Sequence, residues 1–448
     1  MRRISFFFCL LVSAGLAAGC GGSSGTGTTG GSGGSGSGGS GSGGSGGTGG
    51  SGTNVVALTV NGGPTVNQTG GVNYENAAFA SATLCAPGST SNCVTIGGLL
   101  VDTGSVGLRV FQSEVSSLNL PSVNAANGSA AYNCVNFVDG SYLWGPVQQA
   151  DVSMGGETAS KASIQVISDS NTGVPSSCSN GGSDNENTAA KLGANGILGV
   201  GSEPTDCYYD GGSACDPSSG VTPIPDVYYT CPGGSCAASY VAVANQVVNP
   251  VALFPTDNNG VIVELPAVSG TSEASLTGSL VFGIGTESNN ALPNTATVFT
   301  LNCDEFTTVF DGTSLPSNLS QNCSGGSFID SGSNGLYFPN ETNLPECGNT
   351  AAGNFTGFYC PTNSDSLSAT NEGQNGSSKQ TSFTVDNAES LFSGSSASDS
   401  VFPGLAGLQP TGYGFDWGLP FFYGVNVYSS IDGQSVPSGA PAAPWWAY

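Results

Sequence analysis

The sequence predicts a mainly β fold, and three observations support this class. Short runs rich in Val, Ile, Phe and Tyr recur along the chain, as in Ser163–Ile167 (SIQVI) and Phe422–Ser430 (FYGVNVYSS). Gly, Asn, Asp and Pro, which favour turns, separate these runs. No long segment has the apolar period of an amphipathic helix. We therefore expect many short strands joined by tight turns.

The first residues have the pattern of an export signal. Residues 1–19 begin Met1-Arg2-Arg3, continue through an apolar stretch too short for a transmembrane helix, and end in Ala-Ala-Gly before Cys20. Small residues directly before a cysteine resemble the lipobox of bacterial lipoproteins, which implies removal of residues 1–19 as a signal peptide and a lipid on Cys20. Plain secretion is the alternative. Gly21 is not the Asp that commonly marks inner-membrane retention. The resemblance therefore implies an outer-membrane anchor in a bacterial envelope, on the periplasmic face or the cell surface.

A linker follows this cysteine. Every residue from Gly21 to Thr53 is Gly, Ser or Thr, and such a composition buries almost no apolar surface and behaves as a flexible coil. We expect residues 20–53 to tether the folded part to the membrane. About 395 residues remain, which is enough for two lobes with their own cores. They contain no further apolar run long enough to cross a bilayer.

The charge of the chain is strongly negative and excludes one class of partner. The sequence has 31 acidic and 6 basic residues, a formal net charge of −25 at pH 7. After the leader and tether, the basic residues are Arg109, Lys161, Lys191 and Lys379. Such a surface repels nucleic acid and anionic lipid headgroups. It favours solubility and suits surroundings in which carboxylates are partly protonated.

The cysteines indicate an oxidising compartment. Of 14 cysteines, Cys9 lies in the leader and Cys20 is the lipidation site, and the even number that remains favours disulfides in an exported protein. The segment CPGGSC does not have the C-x-x-C spacing, and no histidine is present to help bind zinc, so structural bridges are favoured over a metal or redox site. Short local loops are expected for four neighbouring pairs: Cys85/Cys93, Cys207/Cys215, Cys231/Cys236 and Cys347/Cys360.

The absence of histidine excludes several kinds of catalysis. With no His in the chain, Ser-His-Asp and Cys-His nucleophiles, H-E-x-x-H metal sites and histidine general bases are impossible. A Ser-Lys hydrolase is disfavoured because Lys191 has no S-x-x-K relation, and Lys161 and Lys379 lie in polar, surface-like segments. The chemistry that remains for hydrolysis at moderate pH depends on carboxylates.

One motif occurs twice in the chain. Leu99–Phe111 reads LLVDTGSVGLRVF, and Phe328–Pro339 reads FIDSGSNGLYFP. A chain this rich in Gly, Ser and Thr produces D-[ST]-G by chance, but the shared apolar lead-in, the Ser and the Gly-Leu indicate an internal duplication. Gly after the Asp-Thr or Asp-Ser pair allows a tight turn, so Asp102 and Asp330 are expected to project from rigid loops that symmetry brings together.

At these residues the sequence resembles the pepsin-like aspartic peptidases, and further landmarks follow in the order of that family. The resemblance extends over about residues 55–432 and implies a bilobal pepsin-like acid protease fold, with two pseudo-symmetric β lobes and a cleft between them. It places the N-terminal lobe at residues 54–286, with a Cys-rich insertion over about 205–239, and the C-terminal lobe at residues 287–448. The further landmarks are Phe137–Gly145 (flap hairpin), Asn195–Gly201 (NGILGVG), Gly278–Thr286 (end of the first lobe) and Asp416–Tyr428.

The resemblance also implies a mechanism and a set of site residues. Water held between Asp102 and Asp330 attacks a peptide carbonyl, while the two carboxyls share a proton. The substrate would be an extended polypeptide, no cofactor or metal is needed, and a monomer is expected. The residues that support the loops are Thr103, Gly104, Ser105, Ser331, Gly332 and Ser333. The flap residues are Phe137, Asp139, Gly140 and Ser141.

Two departures from the family pattern leave alternatives open. Phe137 stands where the family usually has Tyr, and Arg109 where it has Trp, so the usual Tyr-Trp hydrogen bond cannot form. Arg109 would lower the pKa of Asp102 if it lay within about 4–6 Å, or it is an exposed or locally salt-bridged strand residue. The competing functions are a non-catalytic lipoprotein that binds a peptide or glycan, and a structural or adhesive envelope lipoprotein.

Overall fold

The computed structural model confirms that the protein is mainly β, with 42% of residues in strands and 9% in helices. The leader, Cys20 and nearly all of the tether lie outside the residues it describes. The described residues are 53–64, 73–137, 140–170, 173–179, 185–209, 212–213, 215–216, 218, 226–302, 304–316, 319, 325–350 and 353–448.

The described strands are mostly short, as the sequence predicts. In chain order they are β1 (Val55–Gly62), β2 (Tyr74–Cys85), β3 (Cys93–Asp102), β4 (Val106–Phe111), β5 (Ala131–Asn136), β6 (Tyr142–Met154), β7 (Glu157–Ile167), β8 (Gly196–Val200), β9 (Tyr208–Tyr209), β10 (Gly212–Ser213), β11 (Tyr228–Thr230), β12 (Ala237–Ala238), β13 (Gly260–Glu264), β14 (Leu276–Phe282), β15 (Val298–Thr300), β16 (Thr307–Phe310), β17 (Thr313–Leu315), β18 (Phe328–Ile329), β19 (Leu336–Phe338), β20 (Asn349–Thr350), β21 (Gly353–Asn354), β22 (Asp365–Glu372), β23 (Ser378–Val385), β24 (Ala406–Leu408), β25 (Asp416–Trp417), β26 (Val427–Ser430) and β27 (Trp445–Ala447).

The helices are single turns. The α-helices in the described part of the chain are α1 (Gln112–Val115), α2 (Ala189–Leu192) and α3 (Ala388–Leu391). The 3₁₀ turns are Pro232–Gly234, Val243–Asn245, Pro250–Leu253, Gly394–Ser396 and Leu419–Phe422. Among the residues described, no helix has the length and apolar character needed to span a bilayer.

One large sheet runs through both segments that the sequence assigns to separate lobes. Its strand order is β12-β11-β5-β6-β7-β4-β8-β3-β2-β1-β14-β13-β26-β27-β15. β13 pairs with β26, so residues 260–263, before the boundary predicted at 286/287, pair with residues 427–430, after it. β11 pairs with β5 within this sheet, so part of the Cys-rich segment 205–239 continues the sheet.

The same four-strand arrangement occurs twice, once around each copy of the repeated motif. In the first copy, β3 pairs in parallel with β8, β8 pairs antiparallel with β4, and β4 pairs in parallel with β7. In the second copy, β18, β25, β19 and β24 are joined in the same order and the same directions. A third strand therefore lies between the two strands that flank each Asp loop, and the sequence duplication is also a duplication of local topology.

Apolar side chains of the two copies lie in one continuous core. The strands β4 and β8 are buried on both faces, and Arg109 is the one polar side chain that they contain. Around the second copy the core is aromatic: Phe338 stacks on Phe415 with ring centroids 5.0 Å apart, and Phe415 stacks on Trp417 at 4.7 Å. These rings fix the short strands β19 and β25, which make few backbone hydrogen bonds of their own.

Five disulfides join ten of the described cysteines, which confirms the prediction from the cysteine pattern. The four neighbouring pairs named above all form bridges, with sequence separations of 5–13 residues. Cys134–Cys178 closes a longer loop of 44 residues, which the sequence did not specify. Because this bridge joins β5 to the segment after β7, it links the β5–β6 hairpin to that segment.

Candidate active site

Each Asp of the repeated motif lies where a strand of the four-strand unit ends. β3 ends at Asp102, opposite Gly199 of β8, and Asp330 directly follows β18, beside the strand β25. The loops lie tightly on the middle strand. A Cβ atom on Gly199 would approach the backbone of Val106 to 2.7 Å, and one on Gly418 would approach the Gly335 carbonyl oxygen to 2.1 Å. Glycine at these two equivalent places therefore allows the backbone of each Asp loop to pack closely against the middle strand.

The two carboxyl groups meet in the interior. Asp102 and Asp330 are 4% and 1% exposed. They are within hydrogen-bonding reach of each other. Gly332 lies against both, since a Cβ atom there would be 2.8 Å from Asp102 Oδ1 and 3.1 Å from Asp330 Oδ1. Any side chain at position 332 would clash with the two carboxyl groups, which explains why the second motif has Gly there.

Hydrogen bonds hold each carboxyl in a matching way. The Gly104 amide donates to Asp102 Oδ1 (2.9 Å), and the Gly332 amide donates to Asp330 Oδ1 (2.7 Å). The Ser105 hydroxyl donates to Asp102 Oδ2, and the Ser333 hydroxyl lies 2.8 Å from Asp330 Oδ2. Each motif thus supplies one amide and one hydroxyl, and both carboxyls have fixed orientations.

Burial and neighbouring charge act together on Asp330. Burial raises the pKa of Asp330 well above its ordinary value, and the carboxyls of Asp102 and Asp416 raise it further. The Gly332 amide acts in the opposite direction and does not cancel these effects. Asp330 therefore holds a proton over a pH range in which an exposed aspartate is fully ionised.

The second residues of the two motifs interlock the loops. Thr103 Oγ1 donates to the Ile329 carbonyl (3.0 Å) and accepts from the Ser331 amide (2.9 Å). Ser331 Oγ in turn donates to the Val101 carbonyl (2.7 Å) and accepts from the Thr103 amide (3.1 Å). All four bonds are buried and join residues more than 200 positions apart in sequence, so they hold the two halves in register at the carboxyl pair.

Removing one hydroxyl of this interlock is expected to destabilise the protein. Thr103→Val keeps the shape of the side chain but leaves the Ile329 carbonyl and the Ser331 amide buried without a partner, at about 1–3 kcal/mol each. We expect the free energy of unfolding to fall by about 2–6 kcal/mol in denaturant titrations. The matched control is Thr83→Val, whose hydroxyl bonds to Thr95 at the surface. Equal losses for the two variants would contradict this account.

The sequence-predicted flap is a hairpin of β5 and β6, and two of its residues, Val138 and Asp139, lie outside the described part. The amide of Phe137 donates to the Ser141 carbonyl (2.9 Å), and Gly140 has φ +89°, which suits a tight turn. The Phe137 ring is buried in an apolar cluster that includes Phe111 and Ile197. The Phe137 side chain therefore packs against residues around the first repeat and offers no hydrogen-bonding group.

Arg109 has its own set of partners. Its Nη1 donates to Asn133 Oδ1 (2.6 Å) and Gln165 Oε1 (2.8 Å), and its Nη2 donates to the Val106 carbonyl (3.2 Å) and pairs with Asp206 (3.3 Å). Burial raises the pKa of Asp206, and Arg109 opposes that effect. The local salt-bridge alternative for Arg109 is confirmed, but the residue is 2% exposed and lies in the core.

Three residues near the carboxyl pair were not anticipated from the sequence. Asp416 is fully buried and lies 2.7 Å from the Ser333 hydroxyl. The Tyr74 hydroxyl donates to the Gly332 carbonyl (3.4 Å). Asn76, fully buried with φ +49°, donates to the Asn334 carbonyl (2.8 Å). Aligning the two repeats would have pointed to Asp416, whereas no sequence pattern distinguishes Tyr74 or Asn76.

The arrangement is suited to holding and moving a proton. Two carboxyls with the same hydrogen-bond partners can exchange the roles of acid and base with little rearrangement, and rigid loops keep them in place. No metal is needed for this chemistry. Elsewhere in the described residues the sulfurs of Cys347 and Cys360 lie near the Glu389 carboxyl, but they are joined in a disulfide and offer no thiolate ligand.

The fold and the site define a class: a mainly β, disulfide-bridged protein with a duplicated four-strand unit and a buried carboxyl pair on two interlocked loops. Residues 50–448 match the family model described as a protein of unknown function, DUF3443. Because the match covers most of the chain, the protein belongs to this family. No curated protein sequence matches the chain significantly.

Proposed function

We propose that the protein is an aspartic endopeptidase with a bilobal, pepsin-like fold that cuts extended polypeptide in the cleft between its lobes. The observation that carries this proposal is the carboxyl pair of Asp102 and Asp330, held by matching amides and hydroxyls on two loops that interlock through Thr103 and Ser331. The duplicated strand order around the loops supports the two-lobe interpretation.

The mechanism follows from the shared proton. Two adjacent buried carboxyls cannot both ionise cheaply, so one stays protonated while the other is charged. The charged member takes a proton from a water molecule held between them, and the protonated member donates to the oxygen of the scissile carbonyl. The water oxygen bonds to the carbonyl carbon and forms a tetrahedral intermediate. The carboxyl that took the proton from water then passes it to the amide nitrogen, the C–N bond breaks, and a hydroxyl proton of the intermediate returns to the other carboxyl, so that the amine and the carboxylic acid leave and the pair is restored. No covalent enzyme intermediate forms, and the two carboxyls supply both the base and the acid, so this mechanism uses no histidine or metal.

Phe137 favours one alternative, a non-catalytic protein that binds a peptide or glycan in the same cleft. A phenol at the hairpin tip could donate a hydrogen bond to a bound substrate, and the buried ring of Phe137 cannot. Loss of such a contact would weaken transition-state binding more than the fold. The complete set of loop hydroxyls argues for catalysis, because simple binding of a ligand does not require them.

Placement at the cell envelope is part of the proposal. The lipobox-like end of the leader, the Gly/Ser/Thr tether and the paired cysteines all suit a folded body held outside the cytoplasm by a lipid on Cys20. Mass spectrometry of the protein purified from bacterial membranes, with Cys20→Ala as the control, would detect the lipid. Recovery of an unmodified Cys20 would reject the anchor and leave the peptidase proposal untouched.

A statine-type peptide, which mimics the tetrahedral intermediate, separates catalysis from simple binding. We expect the purified protein to degrade an unfolded protein substrate in acid, and the inhibitor to block this degradation and to bind more tightly where the pair holds one proton. Calorimetric titration across pH 3–7 measures the binding. Affinity for plain peptides, together with no cleavage and no pH-dependent preference for the statine, would reject the peptidase and support the binding protein.

A further inference from the structure

A third carboxyl group lies directly behind the acid pair. Asp416 begins β25, the strand between β18 and β19, and is fully buried. In the first repeat, Leu100 pairs with Ile197, and in the second the equivalent Phe328 pairs with Asp416. The duplicated unit therefore has an apolar residue at this place in one copy and an acid in the other, so only one side of the pair has an additional titratable group.

Ser333 connects this third acid to the pair. Its hydroxyl oxygen lies 2.8 Å from Asp330 Oδ2 and 2.7 Å from Asp416 Oδ2. A hydroxyl has one proton and can donate to one of these oxygens only. The other contact then needs a proton on the carboxyl itself, because two oxygens at this separation repel each other without one. Either Asp330 or Asp416 therefore carries a proton in this arrangement.

The surroundings of Asp416 favour the neutral form. Its Oδ1 is buried and has no hydrogen-bond partner, which an ionised carboxylate tolerates poorly and a carboxylic acid carbonyl tolerates better. With the proton on Oδ2, Asp416 donates to Ser333 and Ser333 donates to Asp330. Among the described residues, the titratable groups facing Asp416 are Asp102 and Asp330 on the loops and Tyr337 on β19, whose hydroxyl bonds to Asn334.

We propose that Asp416 is a positioning residue that forms, with Asp102 and Asp330, a three-carboxyl system linked by Ser333, and that it extends the working range of the acid pair toward neutral pH. The proposal rests on the peptidase function above and adds a pH-setting group to it. As pH rises, the charge that appears on Asp416 makes loss of the last proton from the pair less favourable. Neutral replacements are therefore expected to lower the pH at which activity disappears.

Two substitutions separate the charge of Asp416 from its hydrogen bond. Asp416→Asn keeps an N–H donor for Ser333 and cannot ionise, and Asp416→Ile restores the residue of the first repeat and removes the donor. We expect both to shift the alkaline limb of the kcat/KM profile to lower pH by about one pH unit. Asp386→Asn, at a buried carboxyl that pairs with the Ser364 hydroxyl, is the control and should not shift it.

The outcomes distinguish charge from structure. A shift in Asp416→Ile alone would assign the effect to the lost hydrogen bond and overturn the proposal, as would no shift in either variant or a shift to higher pH. Infrared spectra of the protonated-carboxyl carbonyl stretch provide a measurement independent of activity. Near pH 6, Asp416→Asn should lose the absorbance of one protonated carboxyl and Asp386→Asn should leave the Asp416 band in place. An unchanged spectrum for Asp416→Asn would overturn the proposal, whereas absent proteolysis with this band intact would reject only the peptidase function.

Discussion

Asp102→Asn and Asp330→Asn are each expected to abolish proteolysis of an unfolded substrate at acid pH, with kcat lowered by about 10³-fold or more. The chemistry needs one group that accepts a proton from water and another that donates to the carbonyl oxygen. An amide can neither take up a proton from water nor transfer one to the carbonyl oxygen, although it fills the same space and can still accept a hydrogen bond from the Gly104 or Gly332 amide. The measurement is the initial rate of cleavage across pH 3–7 for each variant.

The fold should survive both substitutions. Because burial and neighbouring acids raise the pKa of Asp330, ionising it at pH 7.5 opposes folding, and Asp330→Asn removes that cost. We therefore expect the free energy of unfolding of Asp330→Asn at pH 7.5 to match or exceed that of the unmodified protein. Asp365→Asn, at an exposed carboxyl, is the activity control. Cleavage at the normal rate by either pair variant would reject the assignment of the acid pair.

The second large effect is on stability, which is expected to be higher in mild acid than at neutral pH. Burial raises the pKa of Glu75 and of Glu305 from 4.5 to about 7. Burial also raises the pKa of Glu203, of Asp330 and of Asp416. All five groups bind protons more tightly in the folded than in the unfolded state. For Glu75 and Glu305 the stabilisation is complete below about pH 4 and is lost as pH rises through about 7.

The size of this effect can be tested at two residues. Glu75 and Glu305 each account for about 3 kcal/mol between pH 4.5 and 7, at about 1.4 kcal/mol for each pH unit. Urea titrations at pH 4.5 and 7.5 should therefore give a lower free energy of unfolding at the higher pH. Glu75→Gln and Glu305→Gln, which resemble the protonated acids, should each reduce the difference, whereas Asp365→Asn should not. Equal stability at the two pH values would contradict the expectation.

The fold class and the pairing of the motifs could be predicted because they depend on local signals. Alternating apolar runs and turn residues specify short strands whatever they pack against, and a repeated segment of Asp, hydroxyl and Gly residues specifies the same loop twice. Cysteines 5–13 residues apart, as in Cys231–Cys236, can reach each other at a small cost in loop-closure entropy. Cys134–Cys178 depends on how the hairpin of β5 and β6 lies on the body, which no local signal contains.

The surroundings of the site depend on contacts between distant segments. Arg109 forms an ion pair with Asp206 and hydrogen bonds with Asn133 and Gln165. These partners come from three separate parts of the chain, so the burial of Arg109 in the core could not be foreseen from its strand alone. Asp416 was foreseeable in principle, because it takes the place of Ile197 in the second repeat. An acid at this place departs from the apolar pattern of the strand, and residues that depart from the local pattern in this way often have a functional role.

The cross-bonding of Thr103 and Ser331 has a consequence for how the chain acquires its acidity. While the polypeptide is still extended, Asp102 and Asp330 are two separate side chains, 228 positions apart. Only when both repeats have formed and met does Asp102 lie beside Asp330 and add to the effects of burial and of Asp416 on the pKa of Asp330. The acid pair is thus a property of the completed molecule, because each repeat supplies one of its two carboxyls.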